Sequence, residues 1–321
     1  MDNMKYMIFL LAVVILVSGC TSTPSIWDPD VVSVKPSHIQ QGPDDILIIK
    51  DIETLPDSTV LPGRLLYVFY TIANTDQSST IPDVTTVIYD KFIFEFAEGG
   101  EPDQCNKEAC TLLPLGEKQI QSRLRAPDSD FIVIATDADL SFKVDYNFSS
   151  SLNFPVLLVT EDEILKLMKY EEKIEREVTS TSSAGPIQIR GEIRGRQYLV
   201  SGFEASIRFF IRQTGSRGSL KGPIGKGEFV VKFPDDLVSD SSKIVTPNAD
   251  MFYCEPDGEY ISCSNNGEEI DLIDGESSPL IFTIQDISNI TVPSITYLIK
   301  ASVNNYEYEV RDSVGITVVP E

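Results

Sequence analysis

From Asp45 onward the chain repeats one pattern: short runs of alternating apolar and polar side chains, broken every ten or so positions by Gly, Pro, Asn or Asp. A two-residue period puts successive side chains on opposite faces of an extended strand, and β-branched and aromatic residues suit those faces. In the first half the pattern predicts strands at Ile46–Ile52, Arg64–Asn74, Val84–Phe96, Gln119–Leu124, Phe131–Ala135, Leu140–Phe148 and Pro155–Val159. In the second half it predicts strands at Pro186–Arg194, Gly202–Arg212, Gly227–Phe233, Leu280–Ile284, Ile295–Tyr308 and Val314–Val319. Turn signals at this spacing point to an antiparallel, all-β sandwich rather than to βαβ units. One segment breaks the rhythm. Thr160 and Glu163 form an S/T-x-x-E capping box, the next residues are acidic, and Ile164, Leu167 and Met168 make a narrow apolar stripe. This predicts a helix of about fifteen residues packed on a sandwich end.

The first twenty residues, MDNMKYMIFLLAVVILVSGC, are of a different kind. Their apolar run, Tyr6 to Val17, is short for a spanning helix of about 20 residues and suits the h-region of a signal peptide. Val17-Ser18-Gly19-Cys20 resembles the lipobox of prokaryotic lipoproteins. That resemblance implies a diacylglyceryl-type lipid on the Cys20 thiol and Cys20 as the mature N-terminus. Read without it, the leader also admits an ordinary signal peptide cleaved nearby or an uncleaved, slightly short anchor helix. All three readings export the chain. The Ser-, Thr- and Pro-rich stretch from residue 21 to about 37 then reads as a tether. Trp27 lies either at the lipid interface or against the first domain.

Five cysteines is an odd count for an exported protein. With Cys20 taken by lipid, two close pairs remain, Cys105 with Cys110 and Cys254 with Cys263, each expected as a disulfide stapling a local hairpin. Neither pair has the C-x2-C spacing of a zinc site, and no metal or other cofactor is expected.

The second half repeats the grammar of the first. Pro62-Gly63 before a long aromatic strand is answered by Ser201-Gly202 before another, and a cysteine pair follows in each. Leu112–Leu124 is answered by Asp271–Ile284, with Gly116-Glu117 opposite Gly275-Glu276. Finally 141–148 is answered by 297–308, and VLLVT by GITVV. A duplicated module is the expectation. The modules resemble immunoglobulin-like modules of the CARDB kind, carried as tandem repeats on prokaryotic and especially archaeal surface proteins. The resemblance covers roughly residues 40–160 and 187–320. It implies two tandem immunoglobulin-like β-sandwich domains, 38–160 and 187–321. The remaining boundaries are a signal peptide at 1–19, a lipidated tether at 20–37, and helix plus linker at 161–186.

Charge limits the partners. With 49 acidic against 26 basic residues the net charge is −23, which repels nucleic acid. Yet residues 187–232 hold nine Arg and Lys against three Glu. Arg190, Arg194, Arg196, Arg208, Arg212, Arg217, Lys221 and Lys226 are therefore a candidate anion-binding patch, for the acidic first domain, an anionic surface polymer or a lipid headgroup. Solvated surface charge is the plainer account. Asn147-Phe-Ser149 and Asn289-Ile-Thr291 are sequons for surface glycosylation. The single histidine, His38, lies at the tether edge and is not expected to serve a nucleophile. Residues 215–228 lack the spacing of a phosphate loop. Asp137-Ala-Asp139 is only a fragment of a calcium loop. The sequence thus predicts a membrane-anchored, extracellular, non-enzymatic surface structural or interaction module with a surface protein or glycan as partner. The alternative is a solute- or glycan-binding lipoprotein serving a transporter or a polysaccharide-acting complex.

Overall fold

A computed structural model describes residues 32–40, 44–170, 172, 174–195, 197–247 and 250–320. The described chain is nearly all β, as the alternation predicts. The first half supplies β1 (Val32–Gln40), β2 (Leu47–Leu55), β3 (Thr59–Val60), β4 (Leu65–Asn74), β5 (Ile81–Asp90), β6 (Glu95–Phe96), β7 (Cys110–Leu112), β8 (Glu117–Arg125) and β9 (Thr136–Val159). Helix α1 (Glu161–Tyr170) follows, then β10 (Ile174–Ser182). The second half supplies β11 (Ile187–Ile193), β12 (Leu199–Val200), β13 (Ala205–Gln213), β14 (Gly218–Leu220), β15 (Phe229–Pro234) and β16 (Ile244–Val245). It continues with β17 (Tyr253–Asp257), β18 (Tyr260–Ser264), β19 (Leu272–Ile273), β20 (Glu276–Ser277), β21 (Leu280–Ile284) and β22 (Ser294–Val318).

Two strands organise the rest. β9 has 24 residues and β22 has 25. They pair antiparallel from Ser294↔Val159 to Val318↔Thr136, with one irregularity between Val303 and Tyr306. At that bulge Asn305 takes a positive φ of 55°, which Asn tolerates better than most residues, and its N–H donates to Ser149 Oγ at 2.9 Å. The pairing repeats about this ribbon. β5 lies beside β9 and β15 beside β22, both antiparallel. β3 runs parallel to the end of β22, and β12 parallel to the end of β9. Facing sheets carry β2-β4-β8 in one half and β11-β13-β21 in the other. The sequence features that recur therefore fall on strands that recur in pairing. Each ribbon strand begins in its own half and ends in the other.

Alternation along each strand fills the space between sheets. In β4 and β8 the large buried side chains on the inner face are Leu66, Val68, Tyr70, Ile72, Ile120 and Leu124. Tyr70 meets the Phe142 ring of β9 at 4.8 Å and hydrogen-bonds Thr86 across the sandwich at 2.8 Å. Burial pushes its phenol pKa up to about 12. In the second half Phe209 lies centrally, with Phe154, Phe229 and Phe282 at 6.1, 6.4 and 5.9 Å. Buried side chains of both halves form one continuous cluster. Where the halves meet, the Tyr146 ring lies tilted against Tyr308 at 5.8 Å and Phe148 meets Tyr306 edge-on at 6.3 Å. Asp45 ties the first half to the second by accepting from the Ser216 N–H, the Ser216 hydroxyl and the Arg217 N–H.

Several local expectations are corrected. The stretch read as tether becomes strand from Val32, pairing parallel with β10, which itself occupies residues read as linker. Non-local pairing supplies what the short, Pro-interrupted sequence could not reveal. The helix ends at Tyr170 after ten residues; its stripe is as predicted, with Ile164 and Leu167 buried. Only one arm of the capping box forms, Thr160 Oγ1 accepting from the Glu163 N–H at 3.3 Å while the Thr160 N–H bonds Pro293 O. Leu140–Phe148 and Pro155–Val159 are parts of one strand, as are Ile295–Tyr308 and Val314–Val318. Residues Phe131–Ala135 are a loop rather than a strand, because only Ile132 finds a buried place.

Candidate functional site

Cys20, Trp27 and Arg196 lie outside the described residues, and of His38 only the backbone, in β1, is described. The other cysteines pair as predicted. Cys254 and Cys263 face each other across the β17–β18 hairpin and are bonded. Cys105 and Cys110 are bonded too, but they close a loop at the start of β7 rather than a hairpin. Two disulfides belong to a non-cytoplasmic, oxidising environment. No described helix is long and apolar enough to cross a membrane. Among the described residues no three His, Cys, Asp or Glu side chains gather as a metal site.

The basic residues of the second half divide into separate groups. On β13 the buried residues Ile207, Phe209 and Ile211 alternate with Arg208, Phe210 and Arg212, which therefore share the outer face. Arg190 of β11 stands opposite Phe210 on that face. The cations are partly neutralised: Glu192 lies 2.6 Å from Arg208 and 3.9 Å from Arg190, and Glu276 stands opposite Arg212. Arg194, exposed, follows β11. Arg217 and Lys226 are exposed on loops flanking β14. Lys221 turns to the ribbon, 3.6 Å from Asp145 and 3.3 Å from Glu307. The structure thus places Arg190, Arg208 and Arg212 on the outer face that also carries Phe210 and sends the others elsewhere.

Lys221 belongs to a charge ladder across the outer face of the ribbon. Glu309 is 5% exposed and holds Lys143 at 3.0 Å and the Arg311 Nε. Lys143 also reaches Asp145 at 3.1 Å. Burial alone would raise the Glu309 pKa, but the hydrogen bonds from Lys143 and Arg311 outweigh it and hold the carboxyl below its usual value. The bond to Glu309 in turn raises the Lys143 pKa.

The two sequons differ in setting. Asn147 lies within β9 and lines a depression of about 230 Å³ beside the bulge, with Lys221, Glu228, Asn305 and Glu307. Asn289 is exposed on an irregular segment and accepts from the Ser201 hydroxyl at 3.4 Å. A larger open cleft of about 620 Å³ runs along the Cys105–Cys110 loop, lined by Glu101, Asp103, Gln104, Lys107, Glu108 and Lys118.

The run 131–134, expected as strand, is the most exposed apolar group among the described residues. Phe131, Val133 and Ile134 are 78%, 83% and 75% exposed, while Ile132 between them is buried and plugs the loop into the core. Turn bonds from the Phe131 N–H to Asp128 O and from the Ile132 N–H to Ser129 O fix the loop. Together the three side chains offer on the order of 400 Å² of apolar surface, within the range of the largest patch on a typical monomer, which is often functional. The sequence signal was Asp128 and Asp130 ahead of the run, which favour a turn over a strand.

No protein-family model matches the chain, and no curated protein does. Among solved structures, a hypothetical protein from Parabacteroides merdae ATCC 43184 is matched at 7% identity and a TM-score of 0.15. The match covers 81% of this chain and 55% of that one, so the chain spans about half the length of its structural neighbour.

Proposed function

We propose that this chain is an exported protein, lipid-anchored through Cys20 on the outer face of the cell membrane, that acts as a non-catalytic surface interaction module. The lipobox-like segment and the two disulfides support the address. The observation that carries the role is the fixed loop 128–134. It projects three large apolar side chains from the end of a ribbon that runs through both halves. Asp128 and Asp130 lead into the tip and oppose contact with anionic headgroups, so the occupant is a surface protein whose apolar socket carries cations beside it.

Two measurements test the reading. Cys20→Ala should release the protein from the membrane fraction into the medium, and continued retention would refute the anchor. The triple variant Phe131→Ser, Val133→Ser, Ile134→Ser should keep its circular dichroism spectrum and lose the retention on immobilised envelope protein that the wild type shows. Turnover of any envelope polymer by the wild type would overturn the non-catalytic role.

A further inference from the structure

The described chain enters the fold at one particular end. Val32 is 1% exposed and packs with Leu157, Val159, Ile164, Leu167 and Val200, the cluster beneath α1. β1 starts there, with Val32 beside Ile174, and runs toward the middle of the ribbon. The apolar loop 128–134 immediately precedes the opposite end of β9. At about 3.3 Å per residue, β9 separates the two ends by roughly 75 Å. Residues 21–31 stretch no further than about 40 Å between Cys20 and Val32. A lipid on Cys20 therefore reaches the α1 end and cannot reach the apolar tip.

The outer face of α1 suits such a position. Ile164 and Leu167 face the core, which fixes the helix about its axis. Leu165 and Lys169 then share one exposed row, four residues apart, and Lys166 and Tyr170 share the next. Leu165 is 45% exposed, Tyr170 59%, and the Lys169 ammonium lies 5.5 Å from the Tyr170 ring centre. Thr160 donates from its N–H to Pro293 O at 3.0 Å, holding the segment with Val292, 46% exposed, against the same end. Aliphatic and Tyr side chains interleaved with Lys match a lipid interface, where the ring sits at headgroup level and the ammonium reaches past it. Of the acidic residues in the first turn, Glu163 is paired with Lys166 at 3.3 Å, while Glu161 and Asp162 begin the two rows one turn nearer the helix start.

We infer that the C-terminal two turns of α1, through Leu165, Lys166, Lys169 and Tyr170, rest on the bilayer interface and stand the ribbon upright, with the 131–134 tip directed away from the membrane. The inference rests on the lipid anchor at Cys20. The patch is too small to hold the protein by itself, but a short tether raises the local concentration of the interface to the millimolar range, where a weak contact is populated.

Tryptophan quenching tests this. In a Trp27→Phe background, the full lipidated chain would carry Leu165→Trp, Tyr170→Trp or Phe131→Trp and be reconstituted in phosphatidylcholine vesicles with brominated acyl chains. Trp at 165 and 170 should lose at least half its emission relative to unbrominated vesicles, and Trp at 131 should be unchanged. Quenching at 131, or at none of the three in protein that floats with the vesicles, overturns the upright placement while leaving the anchor intact. Protein that fails to float, or a Cys20→Ala variant that floats equally well, overturns the anchor and the placement with it.

Discussion

Glu309 carries two cations at once, Lys143 and Arg311, in a nearly dry position. Its folded pKa lies below the ordinary value of about 4.3, so its contribution is present above that value and is lost as pH falls through the folded pKa. Lys143 is shifted up, so its contribution is present below about 10.4 and is lost as pH rises through the folded pKa. Glu309→Gln should therefore cost about 2 kcal/mol at pH 7, with the gap to wild type narrowing below pH 4, both read by urea denaturation. A gap constant from pH 7 to 3 would contradict this. Gly185 is the opposite case, a residue whose value lies in what it lacks. Its φ is +134°, and a Cβ there would sit 2.9 Å from the Phe148 ring, 3.0 Å from Ser150 Oγ and 3.1 Å from Tyr306 Oη. Gly185→Ala should destabilise by about 2–3 kcal/mol in the same assay. Nothing in TSTSSAGP distinguishes that glycine from one in a flexible linker, because the three groups it fits between come from β9 and β22, distant in sequence.

Strands were legible where burial on one face imposed a period of two, as in β4, β8 and β13. The helix was legible from its cap and stripe. Length was not. Ser149–Ser151, Asn153 and Pro155 look like punctuation, yet β9 runs through them: Ser150 hydrogen-bonds Tyr306 at 2.9 Å. Pro155 falls between the partners β10 and β12, where the outer edge of β9 has no described strand beside it. Asn304-Asn305 likewise resembles a hairpin turn and is a bulge. Apolar content alone misled at 131–135, since a short apolar run does not announce whether a second sheet awaits it. Of the candidate surfaces, the cysteine pairing was readable from spacing, whereas the split of the basic residues depended on β13 alternation and β11 register together. At this scale the β17–β18 hairpin is the informative element, since β18 carries it onto β15 and so onto the ribbon. Replacing Cys254 and Cys263 by Ser should cost about 2–3 kcal/mol by freeing the unfolded loop, seen as a lower thermal midpoint. An unchanged midpoint would mean that pairing with β15 alone holds the hairpin.

For the molecule as a whole, the exchange of strand ends decides how stability is shared. Neither half keeps its long strands if the other opens, since β9 and β22 each serve both. Calorimetry should therefore show one transition, with calorimetric and van't Hoff enthalpies in agreement. Phe209→Ala, expected to cost about 3–4 kcal/mol in the second half, should lower that single midpoint rather than split it. Two separable transitions would show that the halves unfold independently. The ribbon also has a mechanical reading. A load applied between the Val32 end and the Phe131 tip acts along the strands and reaches the ribbon through the parallel β1–β10 pairing, from Val32↔Ile174 to Gln40↔Thr181, whose hydrogen bonds are pulled in shear and bear the force together. The β17–β18 hairpin, pulled apart at its open end, would instead part only the Tyr253↔Ser264 pair before its disulfide stops the peeling.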